Sequence, residues 1–188
     1  MPRFIAFLRG INLGKRRVKM QVLVDRMTAL GFTKVSTHLA SGNVLFSHPK
    51  ASPAELEARV ESGLGSALGY PVETHVRSEA EVRALADRAP AAAGSEALAS
   101  GVLYVAFFKG VLTPGQQAAL AACSTETDAF TPTRSETYWR SALPFHESKI
   151  WASPRVRQLA LPAMTFRGHA TVQGIAALGL RRNARGIP

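Results

Sequence analysis

The residues best suited to binding chemistry lie between positions 9 and 20, where five cations and two glycines occur in one short stretch. The glycines, Gly10 and Gly14, can adopt the left-handed backbone that other residues avoid. Free backbone N–H groups at a helix start, the positive end of the helix dipole and nearby cationic side chains together favour an anion. The stretch therefore predicts an anion-binding loop, without indicating which anion it binds.

The elements on either side of this loop would hold it in place. Arg3–Leu8 is short and rich in aromatic and branched residues, which predicts a buried strand. Apolar residues recur at helical spacing from Met20, and Gly31 follows them where a helix C-cap is expected. The loop is thus predicted to join a strand to a helix N-terminus.

The rest of the first half completes a recognisable order of elements. The pattern predicts strands at 33–39, 43–46 and 72–77 and a helix at 54–68. The order βαββαβ is that of a ferredoxin-like unit. A short helix at 78–88 and a linker rich in small residues at 91–95 are predicted to follow.

The same order is predicted to begin again in the second half. A buried strand at 102–108 ends in Lys-Gly, as the first strand ended in Arg-Gly, and a helix at 114–123 follows. Short strands near 129–131, 137–139 and 164–166, a helical stretch that opens at Ser148 and a final helix at 171–180 complete the pattern. We predict a tandem duplication in an α+β chain. It consists of two ferredoxin-like (βαββαβ) halves, at 1–77 and 78–188, with antiparallel sheets, helices on one face and an extra C-terminal helix.

The topology predicts where a ligand would bind. In a βαββαβ unit the loop after the first strand and the turn between the second and third strands leave the sheet at the same end. Glycines there permit close backbone approach, and amide and hydroxyl side chains add hydrogen-bond donors. The candidate ligand-binding residues of this loop and turn are Arg9, Gly10, Asn12, Gly14, Lys19, Ser41, Gly42 and Asn43.

The positions of two lysines support the interpretation of this group as an anion site. Lys19 and Lys149 stand at predicted helix starts, where a cation opposes the dipole by roughly 0.3 to 1 kcal/mol, so an anion beside them would explain their position. Lys149 therefore joins the candidate ligand-binding residues. The alternative is that Asn12, Ser41 and Asn43 only hold their own turns together while the cations are solvated.

The charge balance favours an anionic partner. The chain carries 23 Lys and Arg residues against 13 Asp and Glu, a formal net charge of +10. Such a field attracts nucleic acid or a phosphorylated small molecule. We therefore expect binding of a phosphate-bearing ligand, with nucleic acid favoured. The alternatives are an enzyme acting on a small anionic metabolite and a protein-interaction module whose charge is incidental.

Several other classes are disfavoured by the sequence. The five histidines show no metal-ligand spacing, so neither a metal nor another cofactor is predicted. The single cysteine, Cys123, excludes an internal disulfide. No apolar run approaches the roughly 20 residues of a membrane span and no secretory signal precedes the first strand, which predicts a cytoplasmic protein that does not bind membranes. The sequence does not indicate an oligomeric state.

Several stretches resemble the bacterial domain of unknown function 1697 family. They are residues 7–14, 18–20, 30–32 and 41–46, with a fainter likeness at 76–78, 104–107 and 148–149. The resemblance implies two ferredoxin-like halves and no particular reaction. Family members usually carry Arg-Asn-Trp-Asn-Thr where this chain has Arg167, Gly168, His169, Ala170 and Thr171. The resemblance thus carries over only Arg167 and Thr171, and it adds Arg167 to the candidate ligand-binding residues.

Overall fold

The computed structural model describes residues 1–12, 14, 16–49, 51–88 and 96–184, so the predicted linker at 91–95 lies outside the described residues. The strands are β1 (Arg3–Leu8), β2 (Thr33–His38), β3 (Asn43–Ser47), β4 (Thr74–Ser78), β5 (Val102–Phe108), β6 (Asp128–Pro132), β7 (Glu136–Ser141) and β8 (Met164–Gly168). The helices are α1 (Met20–Ala29), α2 (Pro53–Leu68), α3 (Glu79–Asp87), α4 (Glu96–Ala99), α5 (Pro114–Ala121), α6 (Pro154–Arg157) and α7 (His169–Ala184). A 3-10 turn, Ile150–Ala152, precedes α6.

The strands form two four-stranded sheets with the same topology. The first has the order β2-β3-β1-β4 and the second the order β6-β7-β5-β8. Every neighbouring pair is antiparallel. Together with the helix that connects the first strand of each sheet to the second, this strand order is that of a ferredoxin-like unit. The predicted fold class is confirmed.

The two sheets also correspond residue by residue, which the sequence did not indicate. Phe7 of β1 lies opposite Asn43 of β3, and Phe107 of β5 lies opposite Glu136 of β7. On the other side of β1 and β5, Arg77 pairs with Ile5 and Arg167 pairs with Val105. The same register in both halves identifies equivalent positions and lets one half serve as a control for the other.

The chain divides into two compact units. The first contains Met1–Ala84 and the part of the chain that starts at Ile175, and the second contains Leu85–Gly174. The later part of α7 therefore belongs to the first unit. The boundary expected after residue 77 stays a prediction, because these units are defined by packing and not by the order of the repeat.

The core of the first unit lies between its sheet and two helices. Side chains of β1 and β3 meet apolar side chains of α1 and α2 on one face of the sheet. The buried members of this cluster are Phe4, Ala6, Leu8, Ile11, Leu23, Met27, Phe32, Val44, Phe46, Leu56, Val60, Leu64, Val72 and Val76. On the opposite face, Ile5 and Leu45 line a small space with Ile175 and Ala176 of α7.

The second unit covers its sheet differently. The helical stretch predicted from Ser148 is divided into a 3-10 turn and the four-residue α6, whereas α2 in the first unit has sixteen residues. Ser153 is extended, with φ −65° and ψ 147°, because the residue before a proline, here Pro154, is sterically kept from the helical region. The core here is aromatic, and Trp139 at its centre is 1% exposed.

The final helix is present as expected and has a counterpart that the sequence analysis did not assign. It extends over His169–Ala184, where residues 171–180 were predicted. In the first half, α3 follows β4 directly, just as α7 follows β8. Each half is therefore a βαββαβ unit followed by a further helix.

Candidate functional site

Three connections meet at one end of the first sheet. They are the β1–α1 loop (residues 9–19, here called the basic loop), the β2–β3 turn and the α2–β4 connection. The backbone N–H of Leu8 donates to the carbonyl of Gly42 at 2.8 Å, and that of Arg9 donates to the carbonyl of Glu73 at 2.8 Å. The antiparallel arrangement on both sides of β1 thus brings residues about thirty and sixty positions apart in the chain to the same place.

Asn12 ties the basic loop to the β2–β3 turn. Its side-chain oxygen accepts a hydrogen bond from the backbone N–H of Val18 at 2.7 Å. Its side-chain nitrogen donates to the carbonyl of Ala40 at 2.8 Å. Since both ends of the amide are used inside the protein, the geometry supports a positioning role for Asn12.

The polar residues of the turn also bind within the turn. Asn43 is buried, and its side-chain nitrogen donates to the carbonyl of His38 at 2.8 Å and to the hydroxyl of Ser41 at 3.0 Å. Gly42 has φ 77°, and a Cβ at this position would lie 2.7 Å from a methyl carbon of Ile11. Only glycine fits here, because the basic loop packs directly on the turn.

Two cations of the basic loop, Arg9 and Arg17, have hydrogen-bond partners among the described residues of the unit. Arg9 is half exposed, at 53%, and its Nη1 lies 2.9 Å from Oε2 of Glu73. Arg17 donates to the carbonyls of Gly14 at 2.9 Å and Arg16 at 2.7 Å. These contacts support the loop, and Glu73 offsets part of its positive charge.

Lys19 is the described cation of the loop with no side-chain partner, whereas Arg9 and Arg17 form hydrogen bonds and Arg16 lies over the Tyr70 ring. It is exposed, and its ammonium group has no hydrogen bond or ion pair with any residue that the structure describes. It occupies the N-cap of α1, where it offers no side-chain cap, and the first turn of α1 contains no acidic residue. The free N–H groups of this turn and the Lys19 charge therefore act in the same direction, both favouring an anion.

Helices α2, α5 and α6 are capped by side chains at their N-termini. Ser52 and Glu55 form a reciprocal capping box at α2, and Thr113 and Gln116 form one at α5. The α5 start is the equivalent of the α1 start in the second unit. Its connection from β5 has five residues, whereas the basic loop has eleven.

Two glycines of the basic loop adopt a backbone conformation that other residues avoid. Gly10 has φ 70° and Gly14 has φ 59°, both in the left-handed region. Gly110, which follows β5 as Gly10 follows β1, has φ 112°. A glycine after the first strand thus belongs to the shared fold, while Gly14 belongs to the longer loop of the first unit alone.

Lys149 and Arg167, the remaining candidates, belong to the second unit. Lys149 is exposed, precedes a three-residue 3-10 turn and donates to the carbonyl of His146 at 3.2 Å, so it does not stand at the start of a long helix. Arg167 is 7% exposed and donates to the carbonyl of Phe166 at 2.7 Å. Burial lowers the pKa of Arg167 to about 10. Neither residue is part of the cluster in the first unit.

The C-terminal segment that departs from the family pattern lies at the end of β8 and the start of α7. Gly168 ends the strand and His169 begins the helix. The His169 ring is buried, with Nε2 3.2 Å from the carbonyl oxygen of Leu85. In this chain the segment therefore serves packing within the second unit.

The sequence analysis missed the α2–β4 connection as part of this end of the sheet. Glu73 contacts Arg9, and its Oε1 lies 3.2 Å from Nε2 of the buried His75. Tyr70 lies under Arg16, whose guanidinium carbon is 4.1 Å from the centre of the ring. In a βαββαβ unit the connection before the fourth strand lies at the same end of the sheet as the β1–α1 loop and the β2–β3 turn. The predicted topology was therefore sufficient to place Tyr70 and Glu73 near the basic loop.

The described residues contain neither a metal-binding cluster nor a membrane-spanning helix. No group of three or more His, Cys, Asp or Glu side chains in the described part of the chain is arranged to hold a metal ion. None of the described helices combines the length and the apolar character that crossing a membrane requires.

Comparisons with known proteins identify the family. A solved structure of the conserved bacterial protein SP0830 from Streptococcus pneumoniae is similar, with a TM-score of 0.69 and 22% identity over 95% of this chain and 98% of that chain. At this identity the likeness shows a shared fold alone. A comparison with curated proteins found no match. A family model described as "Protein of unknown function (DUF1697)" matches residues 1–138, which include the whole of the basic loop, and the chain therefore belongs to this family.

Proposed function

We propose that the first unit binds a phosphate-bearing ligand at the basic loop, with nucleic acid the favoured class. The observation that carries the proposal is the uncapped N-terminus of α1, where an unpaired Lys19 stands in place of a capping residue. A lysine there weakens the helix on its own, because its charge opposes the dipole. A phosphate bound beside it would be attracted by both the Lys19 charge and the positive end of the helix dipole, which would offset this repulsion.

The length of the basic loop supports a role beyond folding. The second unit makes the same strand-to-helix connection with five residues and caps the helix with Thr113. The first unit uses eleven residues, and the additional length contains several of its cations. Since the shared topology does not need this length, the longer loop is best explained by a ligand.

The exposure of the cations favours an extended ligand. Arg9, Arg16, Arg17 and Lys19 are all exposed. A polyanion contacts surface cations through its backbone and gains affinity from released counterions, which suits this arrangement and the net charge of +10. Such a partner agrees with the cytoplasmic location that the sequence predicts. The alternative is an enzyme acting on a small anion, but Glu73 beside the loop is already paired with Arg9, which disfavours this carboxylate as a general base.

Replacing Lys19 by serine tests the proposal through two opposite effects. Serine removes one positive charge and also supplies the missing cap of α1, so we expect the free energy of unfolding to rise by about 1 kcal/mol. We expect affinity for single-stranded RNA to fall, and the slope of log affinity against log salt to become shallower by about 0.7. Fluorescence anisotropy across a salt series and urea unfolding measure the two quantities.

Arg134→Ser is the matched control. Arg134 is exposed in the β6–β7 turn of the second unit, so this variant lowers the net charge by the same amount. We expect it to change the affinity and the salt slope much less than Lys19→Ser does. Equal losses in both variants would mean that RNA binds the general positive field, and the proposed site would be wrong.

A further inference from the structure

Arg16 and Tyr70 form a cation–π pair on the surface of the first unit. The guanidinium carbon of Arg16 lies 4.1 Å from the centre of the Tyr70 ring, the separation expected for a guanidinium over a ring face. Tyr70 is half-buried and packs against the core of the first unit. Arg16 itself is exposed. The pair therefore has one side fixed to the core and one side turned to solvent.

A guanidinium plane that is supported on one side can receive another flat group on the other. Nucleobases stack on arginine planes as they do on aromatic rings, because every base has a π-face. Tyr70 reduces the freedom of the Arg16 side chain before a ligand arrives, which lowers the entropic cost of such stacking. Lysine in the same position would keep the charge but not the plane.

We propose that Arg16, supported by Tyr70, is a stacking platform for an unpaired base of single-stranded nucleic acid. The inference rests on the proposed function, since the phosphates of the same strand would lie at the α1 N-terminus and Lys19. It narrows the ligand class, because bases inside a duplex are stacked on their neighbours and present no free face. A duplex would be held by its phosphates alone.

Tyr70→Phe is a control variant that keeps the aromatic ring and removes only the hydroxyl group. Its oxygen is buried and has no hydrogen-bond partner among the described residues. Tyr70→Phe therefore removes no hydrogen bond from the free protein and keeps the ring under Arg16. Tyr70→Leu removes the ring and leaves Arg16 without its support.

The experiment compares two single-stranded oligomers with the same number of phosphates, an oligothymidine and an oligomer of abasic sites. Anisotropy titrations at one salt concentration give the affinity of each for the wild-type chain and its variants. We expect Arg16→Lys to weaken oligothymidine binding by about tenfold and to leave abasic and duplex binding unchanged. Tyr70→Leu should weaken oligothymidine binding in the same direction, and Tyr70→Phe should not.

The outcomes separate the two proposals. If Arg16→Lys affects the oligothymidine and the abasic oligomer equally, or affects neither, the stacking platform is wrong. In that case Lys19→Ser still decides whether phosphate binds at the α1 start. If Lys19→Ser leaves binding of both oligomers unchanged, the anion site is wrong and the platform is rejected with it.

Discussion

The polar residues of the candidate site fall into two groups that look alike in the sequence. The side chains of Asn12 and Asn43 form hydrogen bonds with the backbone of the first unit and stabilise the conformation of the loop and the turn. Lys19 and Arg16 face solvent. Asn12, Asn43 and Lys19 were all predicted to bind one anion, whereas Arg16 was not. Only the contacts distinguish residues that position the site from residues that can touch a ligand.

Gly42→Ala gives a prediction at the residue scale. A Cβ at Gly42 would meet Ile11 at 2.7 Å and Leu8 at 3.1 Å, in addition to the strain of a left-handed alanine. We expect the free energy of unfolding to fall by roughly 2 to 5 kcal/mol, the sum of a backbone and an overpacking cost. Urea unfolding followed by circular dichroism measures it.

Gly69→Ala separates the two costs. Gly69 has φ 75°, nearly that of Gly42, but a Cβ there would find nothing within 4 Å. This variant should lose only about 1 to 2 kcal/mol, from backbone strain. A loss as large as that of Gly42→Ala would contradict the argument that the basic loop packs on the turn.

At the scale of elements, helix α2 does more than cover the sheet. Two of its carboxylates reach the outer edge of β4, where Oε1 of Glu57 accepts from the N–H of Val76 at 2.8 Å and Oε1 of Glu61 accepts from the N–H of Thr74 at 2.9 Å. Edge strands with free N–H groups invite pairing with other chains, and these contacts protect this edge. The four-residue α6 provides no such length in the second unit.

Replacing Glu57 tests this role of α2. Glu57→Ala leaves the buried N–H of Val76 without its acceptor, so we expect a loss of roughly 1 to 3 kcal/mol in the free energy of unfolding. Glu57→Gln keeps a carbonyl oxygen at the same place and should lose clearly less. Urea unfolding compares them, and equal losses would show that the carboxylate charge, not the acceptor, matters.

The start of α2 also shows how a helix end can be predicted from sequence. The Ser-x-x-Glu spacing of Ser52 and Glu55 is a capping-box pattern, and both of its hydrogen bonds are present. The backbone and side-chain hydrogen bonds from Ser52 lower the pKa of Glu55. A carboxyl with a lowered pKa stabilises the fold above its unfolded pKa, and this contribution is lost as the pH falls through the lowered value. The cap therefore acts fully at neutral pH.

At the scale of the whole molecule, the duplication supplies an internal comparison. The two units share sheet order, register and a glycine after the first strand, yet only the first carries the long basic connection. Their second connections differ as well, with sixteen helical residues in α2 and four in α6. The shared features belong to the fold, and the differences are where separate functions can be sought.

Exchanging the connections tests this division. A chain in which residues 9–19 are replaced by Lys-Gly-Val-Leu-Thr, the sequence of 109–113, should still fold. Loop closure changes by only about 0.6 kcal/mol for a twofold change in length, and the transplanted Val-Leu pair supplies apolar side chains in place of the buried Ile11. We therefore expect a less stable chain that still unfolds cooperatively in urea. Binding of single-stranded RNA should be lost, which anisotropy measures.

The exchange removes four net positive charges, so its control must do the same elsewhere. A suitable variant replaces four exposed cations outside the basic loop with glutamine: Lys34, Arg88, Arg134 and Arg157. This control should keep most of the affinity. If it loses as much as the exchanged chain, the basic loop has no special role.

Much of the fold could be predicted from local signals. The strands at 3–8 and 102–108 were predicted with the bounds that the structure has, because continuous apolar runs mark buried strands. The helix expected from Ser148 was partly wrong, since Pro154 divides it. Helical periodicity alone could not show the break, whose cause is the backbone restriction before a proline.

The sequence by itself determined the order of elements, the repeat and the presence of a basic loop before α1, because each depends on residues close together in the chain. The tertiary structure decided which polar groups of that loop remain available. Asn12 meets Ala40, and Arg9 meets Glu73, only through the pairing of β1 with β3 and β4. Strand register sets these contacts across long separations, and no local pattern around Lys19 distinguishes its free ammonium group from its paired neighbours.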